Sequence, residues 1–178
     1  MEIIREWCMP NKNTFAIKPI KELIKNNLVK GTVIDPFANN NIIKDSMTGI
    51  NYITNDLDEQ YNTDYHLDAL DFLKLFENSS IDMVLYDPPY SPRQVSECYK
   101  ALGKTVDFKT TQSSYWTNHK KEISRIVKKG GKVITFGWNS GGIGKKYGFR
   151  IEQILLVAHG GWHNDTICTV EIKEKKSS

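Results

Sequence analysis

The spacing of apolar side chains divides the chain into short buried strands alternating with amphipathic helices. Residues 18–28 place Ile20, Leu23, Ile24 and Leu28 at helical intervals, with Pro19 in the first turn, and predict a helix. Thr32-Val33-Ile34 then reads as a short buried strand and Asn51-Tyr52-Ile53-Thr54 as a second. A weaker third strand is expected over 65–67, before a helix over 68–76 whose apolar positions recur every three or four residues. The apolar run 81–86 predicts a fourth, buried strand. A helix over 92–102 and a polar, aperiodic, mobile loop over 103–114 follow. The next helix spans 115–129, with Ile123, Ile126 and Val127 on one face and Gly130-Gly131 as its terminator. A fifth strand covers 132–138 and a Gly-rich loop 139–148. Two late strands, 149–159 and 165–173, are joined through Gly160-Gly161-Trp162-His163-Asn164 as a hairpin. Residues 174–178 are expected to fray.

Strands alternating with helices and closing on a strand pair predict an α/β fold in one domain, 1–178. Its sheet should be mainly parallel and seven-stranded, with an antiparallel terminal strand. The length of 178 residues and an apolar content of 39% suffice for one good core. A net charge of +3 permits a polyanionic partner without requiring one. Cys8, Cys98 and Cys168 lie far apart without a CxxC pair, which argues against a disulfide framework and a zinc site, so no metal is expected. His159 and His163 are four apart, but the glycines between them disfavour a helical ligand pair. No apolar stretch approaches membrane-spanning length, and the first residues lack a signal-peptide core. A soluble cytoplasmic protein without membrane contact is expected.

The chemistry concentrates where strands end. Asp87-Pro88-Pro89-Tyr90 closes the fourth strand, because neither proline can donate to a ladder. The two rings also stiffen the backbone, holding a carboxylate, carbonyls and an aromatic ring at the carboxyl edge of the sheet, where open α/β folds bind ligands. Such an acceptor pair beside a ring suits a planar group bearing an amine, such as a nucleobase. Asp35, Asp56 and Asp68 stand at or just after the other early strands, and carboxylates there can accept bonds from a ribose diol, an amine or an ammonium. Taken singly, each is better explained as a cap or turn residue than as a ligand contact. Gly142-Ile143-Gly144-Lys145-Lys146 lacks the spacing of a phosphate loop.

These segments resemble the S-adenosylmethionine-dependent amino-methyltransferases of nucleic acid, most closely small phage-borne adenine-specific DNA methyltransferases. Asp87-Pro88-Pro89-Tyr90 matches the family's catalytic motif, and Asp35-Pro36-Phe37-Ala38 its first cofactor motif. Asn13-Thr14-Phe15 with Lys18-Pro19 is similar to its amino-terminal cofactor motif. Asn55-Asp56-Leu57 and Asp68-Ala69-Leu70 fall where the family contacts the ribose and adenine of its cofactor. The likeness covers roughly residues 10–175.

The resemblance implies a Rossmann-like class I methyltransferase fold, S-adenosylmethionine as cofactor, and methyl transfer to the N6 amine of adenine in DNA. It casts Asp87, Pro88, Pro89 and Tyr90 as catalytic. Thr14, Phe15, Asp35, Pro36, Phe37, Ala38, Asp56, Leu57, Asp68 and Ala69 become cofactor contacts. Duplex bases must be flipped, or the substrate single-stranded, for the amine to arrive. Arg93, Lys104, Lys109, Lys120, Lys121, Lys145 and Lys146 are then candidate phosphate contacts, although each alone reads as a solvated surface charge. Trp116, Trp138 and Trp162 could stack on bases, with burial in the core expected for at least two.

Two features depart from the family. Asn39, Asn40 and Asn41 replace the glycines that usually follow the first motif, and Asn is the residue that best tolerates the left-handed turn required there. No segment resembles a target-recognition domain, which leaves a homodimer or a separate specificity subunit open. Transfer to cytosine N4, transfer to RNA adenine, and a catalytically idle module remain the alternatives.

Overall fold

Val33-Ile34 and Met83-Val84-Leu85-Tyr86 are apolar at consecutive positions, which suits strands covered on both faces. In the computed structural model, which describes residues 1–105 and 113–175, these two segments are neighbours inside a seven-stranded sheet. Its strands are β1 (Glu2–Trp7), β2 (Thr32–Asp35), β3 (Asn51–Thr54), β4 (Ile81–Tyr86), β5 (Val127–Gly137), β6 (Phe149–Ala158) and β7 (Thr166–Lys173). Three helices, α1 (Lys18–Asn27), α2 (Ala69–Lys74) and α4 (Ser114–Ile126), pack on them, while α3 (Pro92–Ala101) packs through Val95 and Tyr99 against Tyr115 of α4. The strand order is β1-β6-β7-β5-β4-β2-β3. All pairings are parallel except those of β7, which runs antiparallel to both β5 and β6. The expected antiparallel terminal strand is present, inserted between its neighbours.

The core has two layers, one on each face. On one, Ile20, Leu23 and Ile24 of α1 pack with Val33, Met83, Leu85, Ile134 and Phe136. On the other, Phe72 and Leu73 of α2 and Ile123 and Ile126 of α4 pack with Ile34, Val84, Tyr86 and Val133. Each fully buried aliphatic or aromatic side chain contributes about 1.5–3 kcal/mol.

Three expectations are corrected. Residues 65–67 form no strand; Tyr65 makes a single bridge to Asn55. The seventh strand is instead β1, a mostly exposed edge strand whose charged sequence carries no alternation, and which forms because β6 offers it a partner. The helix over 115–129 stops at Ile126. Gly130-Gly131 does not terminate it but lies inside β5, at an irregularity where pairing with β4 jumps from Ile81↔Val127 to Met83↔Lys132. A Cβ on Gly131 would stand 2.9 Å from the Lys128 carbonyl and 3.0 Å from the Asp82 carbonyl, so close backbone approach, not helix capping, requires that glycine. The loop expected over 103–114 falls mostly on residues 106–112, and the expected fraying mostly on 176–178; both stretches lie outside the described residues. Among the described residues no helix is long and apolar enough to cross a membrane.

Candidate active site

The order reverses between β2 and β4: from β2 the chain proceeds outward to β3, and from β4 to β5 in the other direction. At such a switch point the loops diverge and leave a crevice at the carboxyl ends of the strands. Here it is a cleft of about 500 Å³, within the usual range for small-molecule and cofactor sites. Thr14, Phe15, Pro36, Phe37, Ala38, Asp56, Leu57, Asp68 and Ala69 all line it, as do the four residues 87–90. The sequence therefore placed in one cavity residues spread over 77 positions, with one exception.

That exception is Asp35. It is fully buried beneath the cleft, where its carboxyl accepts bonds from the Phe37 amide (3.1 Å) and the Tyr52 hydroxyl (3.0 Å). Burial lifts its pKa from the usual 3.8 to about 8, against the lowering effect of those two bonds. Asp35 shapes the turn that follows β2 and does not face the cavity. Because the folded protein holds this proton more tightly than the unfolded chain, stability from this group is lost as pH rises between about 4 and about 8. Asp35→Asn is expected to flatten that slope and to be more stable than wild type at pH 8 by about 1–3 kcal/mol. Thermal melts across pH 5–8 measure it; parallel slopes in the two proteins would mean that the carboxyl is ionised when folded.

The Asn run keeps its loop intact. Asn39 and Asn41 both hold the left-handed conformation (φ 49° and 53°), as expected of Asn where glycine is usual. The Asn39 amide donates to Asp56 Oδ2 (3.0 Å) and the Asp58 amide to Asp56 Oδ1 (2.9 Å), which fixes the Asp56 carboxylate at the cleft wall with a lone pair free on each oxygen. Asp68 caps α2 through the Leu70 amide (2.9 Å) and accepts the Tyr99 hydroxyl of α3 on its other oxygen. That bond ties α2 to α3 across the opening.

The turn after β4 is built from within. Tyr90 does more than present a ring: its hydroxyl donates to Asp87 Oδ1 at 2.6 Å, and its amide donates to Gln94 Oε1 at 2.6 Å. The Trp116 indole N–H donates to the Pro89 carbonyl at 3.0 Å. Among the described residues no hydrogen bond reaches the Pro88 carbonyl. Desolvation pushes the Asp87 carboxyl up to about 6, with bonds from Tyr90 and Thr14 opposing the rise.

A second, smaller cavity of about 240 Å³ lies on the other side of this turn. Pro88, Pro89 and Tyr90 line both cavities. Its remaining walls come from Tyr86 and Pro92 on either side of the turn, from Trp116 and Lys120 of α4, from residues 135–139 at the end of β5, and from Gly142. Trp138 meets Tyr90 edge-on with centroids 5.4 Å apart. The expectation of buried tryptophans is overturned: Trp116 is half-buried at this cavity, while Trp138 and Trp162 are exposed. Both cavity tryptophans follow from position: Trp116 lies in the first turn of α4 and Trp138 just after the end of β5, both at the carboxyl edge.

The basic residues do not gather into one patch. Lys120 lines the small cavity, with its pKa lowered by desolvation, and Lys121 is exposed on α4. Lys145 and Lys146 are exposed on a short 3-10 helix (Lys145–Tyr147), and Lys104 is exposed after α3. Arg93 is paired with Glu97 (2.8 Å), and Lys109 lies outside the described residues. Gln94, Tyr99 and Cys98 escaped the sequence reading although they border the cleft. The signal was available: Gln94, Glu97, Cys98 and Ala101 fall on one helical face of α3, and that face is the cleft wall. Among the described residues no group of His, Cys, Asp and Glu is placed to hold a metal ion.

No protein-family model matches the chain, and no curated protein is found to match it. Solved structures do. TrmN from Thermus thermophilus superposes with a TM-score of 0.58 at 17% identity, over 88% of this chain and 49% of its own; this chain thus spans about half the length of that protein. A 1,6-didemethyltoxoflavin-N1-methyltransferase from Burkholderia thailandensis, solved with S-adenosylhomocysteine, gives 0.62 at 10% identity, over 89% of this chain and 78% of that one. An rRNA methylase from Streptococcus thermophilus gives 0.53 at 12% identity, over 86% and 93%. At these identities the likeness is one of fold. The fold is the Rossmann-like class I methyltransferase fold.

Proposed function

We propose that the chain transfers a methyl group from S-adenosylmethionine to the exocyclic N6 amine of adenine in DNA. The observation that carries this reading is the shared wall: Pro88, Pro89 and Tyr90 line both a nucleoside-sized cleft, which Asp87 also borders, and a small cavity rimmed by Trp116 and Trp138. A donor and an acceptor held on either side of one stiff turn would meet there.

The cleft's residues fit the cofactor. Asp56 has free lone pairs for ribose hydroxyls, and Phe37 and Leu57 offer apolar faces for a base. Asp56, Asp58, Asp68, Asp87 and Glu97 make the cleft acidic, which suits a sulfonium cation. When bound, S-adenosylmethionine supplies an electrophilic methyl group on a sulfur that leaves readily.

The chain's own task is the amine. Its lone pair is delocalised into the adenine ring, so it is a poor nucleophile. The Asp87 carboxylate and the Pro88 carbonyl would accept its two N–H bonds and favour the pyramidal nitrogen, an electrostatic stabilisation typically worth a few kcal/mol. Holding the amine against the turn adds the advantage of orientation. Asp87 is also the nearest group to hold the proton that the product nitrogen loses. Trp116, Trp138 and Tyr90 would stack on the flipped base, and Lys120 would meet a phosphate at the mouth.

Incubation of the full chain with tritiated S-adenosylmethionine and mixed-sequence DNA or RNA, followed by nucleoside analysis, tests this. Label in N6-methyldeoxyadenosine is expected. Label in N4-methylcytosine alone, in RNA alone, or in no nucleic acid would each overturn it.

A further inference from the structure

Three bulky apolar side chains stand in solvent at one corner of the molecule: Trp162 is fully exposed, and Trp7 and Met9 are about two-thirds exposed. They come from two separate stretches brought together. The Trp7 indole nitrogen would lie 3.5 Å from a Cβ built on Gly160, so the end of β1 is seated against the β6–β7 turn that carries Trp162. This corner is firmly made. The buried His159 joins the Cys8 carbonyl (2.8 Å) on one ring nitrogen to the Thr166 hydroxyl (2.7 Å) on the other, and the Cys8 amide donates to the Ala158 carbonyl (3.0 Å). Gly160 and Gly161 both hold positive φ (70° and 58°), so the turn that lifts Trp162 outward is set by the backbone.

The corner lies on the same edge as the candidate active site. β7 is antiparallel to β5 and β6, and β1 is parallel to β6, so β1, β5 and β6 all end at the edge where β2 and β4 end. Gly137, just before Trp138, pairs with Ile167, just after the β6–β7 turn. From the end of β5 to the end of β6 is two strand spacings, about 10 Å, or about three base steps along one DNA strand. The segment after Trp7 runs from this corner back to the cleft, which Lys12, Asn13 and Thr14 line.

The geometry points to a second stacking station: Trp162, at the same corner as Trp7 and Met9, takes a base of the nucleic-acid strand flanking the target nucleotide. This rests on the nucleic-acid reading above. Its occupant follows from shape and size. An indole held clear of the surface offers a flat face to a base, and such stacking tolerates any sequence. A second copy of the chain is a poorer fit, because three side chains of at most about 250 Å² each, two of them partly covered, fall short of the roughly 800 Å² each partner buries in a stable interface.

Equilibrium binding of a fluorescein-labelled 15-nucleotide single-stranded DNA with a central adenine tests the station. Trp162→Ala is expected to weaken binding roughly tenfold, and Trp162→Phe to recover most of it. Deoxyadenosine monophosphate, which carries no flanking base, should bind wild type and Trp162→Ala alike. Calorimetric binding of S-adenosylhomocysteine verifies that the variants are folded. Equal affinity of wild type and Trp162→Ala for the long probe, alongside DNA methylation by the wild type, would overturn the station and leave the proposed function standing. A wild-type chain that binds no oligonucleotide would overturn both. Conversion of a wild-type dimer to a monomer by Trp162→Ala, seen by sedimentation, would reassign the corner to self-association.

Discussion

Asp87→Ala is expected to abolish methyl transfer, and Asp87→Asn to lower kcat by at least about two orders of magnitude, while both variants keep the binding of S-adenosylhomocysteine. Both side-chain replacements remove the negative oxygen that would face the amine. The Asn variant retains the volume and can still accept the Tyr90 hydroxyl, now at 2.6 Å from Asp87 Oδ1, so its loss isolates charge from shape. The pH profile makes the same argument independently. Burial holds the Asp87 carboxyl up at about 6, and only its ionised form offers the amine a negatively charged acceptor; protonation removes that charge and turns one oxygen into a donor. Wild-type kcat/KM should therefore rise with pH, about tenfold per unit below 6, and level off above it. Single-turnover assays from pH 5 to 8 measure both effects. Near-normal transfer by Asp87→Ala, or a flat profile through pH 6, would remove the catalytic role.

Gly142→Ala should cost about 2–4 kcal/mol of stability, a fall of roughly 5–15 °C in Tm for a chain of this size. Gly142 holds a left-handed φ of 54°, and a Cβ there would stand 2.4 Å from Glu171 Oε2. Glu171 cannot easily retreat. It is fully buried in β7, and its carboxylate accepts from the amides of Ile143 (2.7 Å) and Gly144 (2.9 Å), which pins the Gly-rich loop to the sheet. Removing those bonds would strand two amides next to the buried Ile143 side chain. Because Gly142 also borders the small cavity, transfer to DNA should fall with stability. Gly137→Ala is the stability control: its φ is not positive, and nothing lies within 4 Å of the new Cβ. Equal melting temperatures for Gly142→Ala and wild type, by calorimetry, would show that the loop yields at no cost.

The Gly-rich loop illustrates what patterns along a chain leave out. Its motif fails as a phosphate loop, yet its amides do bind an anion, the carboxylate of the chain's own Glu171, 27 and 28 residues away. Likewise Gly130-Gly131 reads as a helix end because two glycines disfavour helix, but the same freedom serves a bulge inside β5. Edge strand β1 was invisible because Glu2, Arg5 and Glu6 have no apolar alternation to signal it; its partner β6 lies some 150 positions on. The tryptophans erred in the other direction. Burial is the usual fate of an indole, and nothing local distinguishes Trp138 in a cavity rim from Trp138 in a core.

By itself the sequence determined the alternating α/β plan, the central strands, and the cluster of motif residues at strand ends. These depend on local rules: apolar runs demand burial, prolines end ladders, and Asn accepts a left-handed turn. Tertiary structure alone decided that Asp35 lies under the cleft, that Pro88, Pro89 and Tyr90 line two cavities at once, and that Trp7 and Trp162 share a corner. Each of those facts depends on which strands become neighbours, and neighbours in a sheet are chosen by the summed burial of both faces rather than by any stretch of chain that can be read alone.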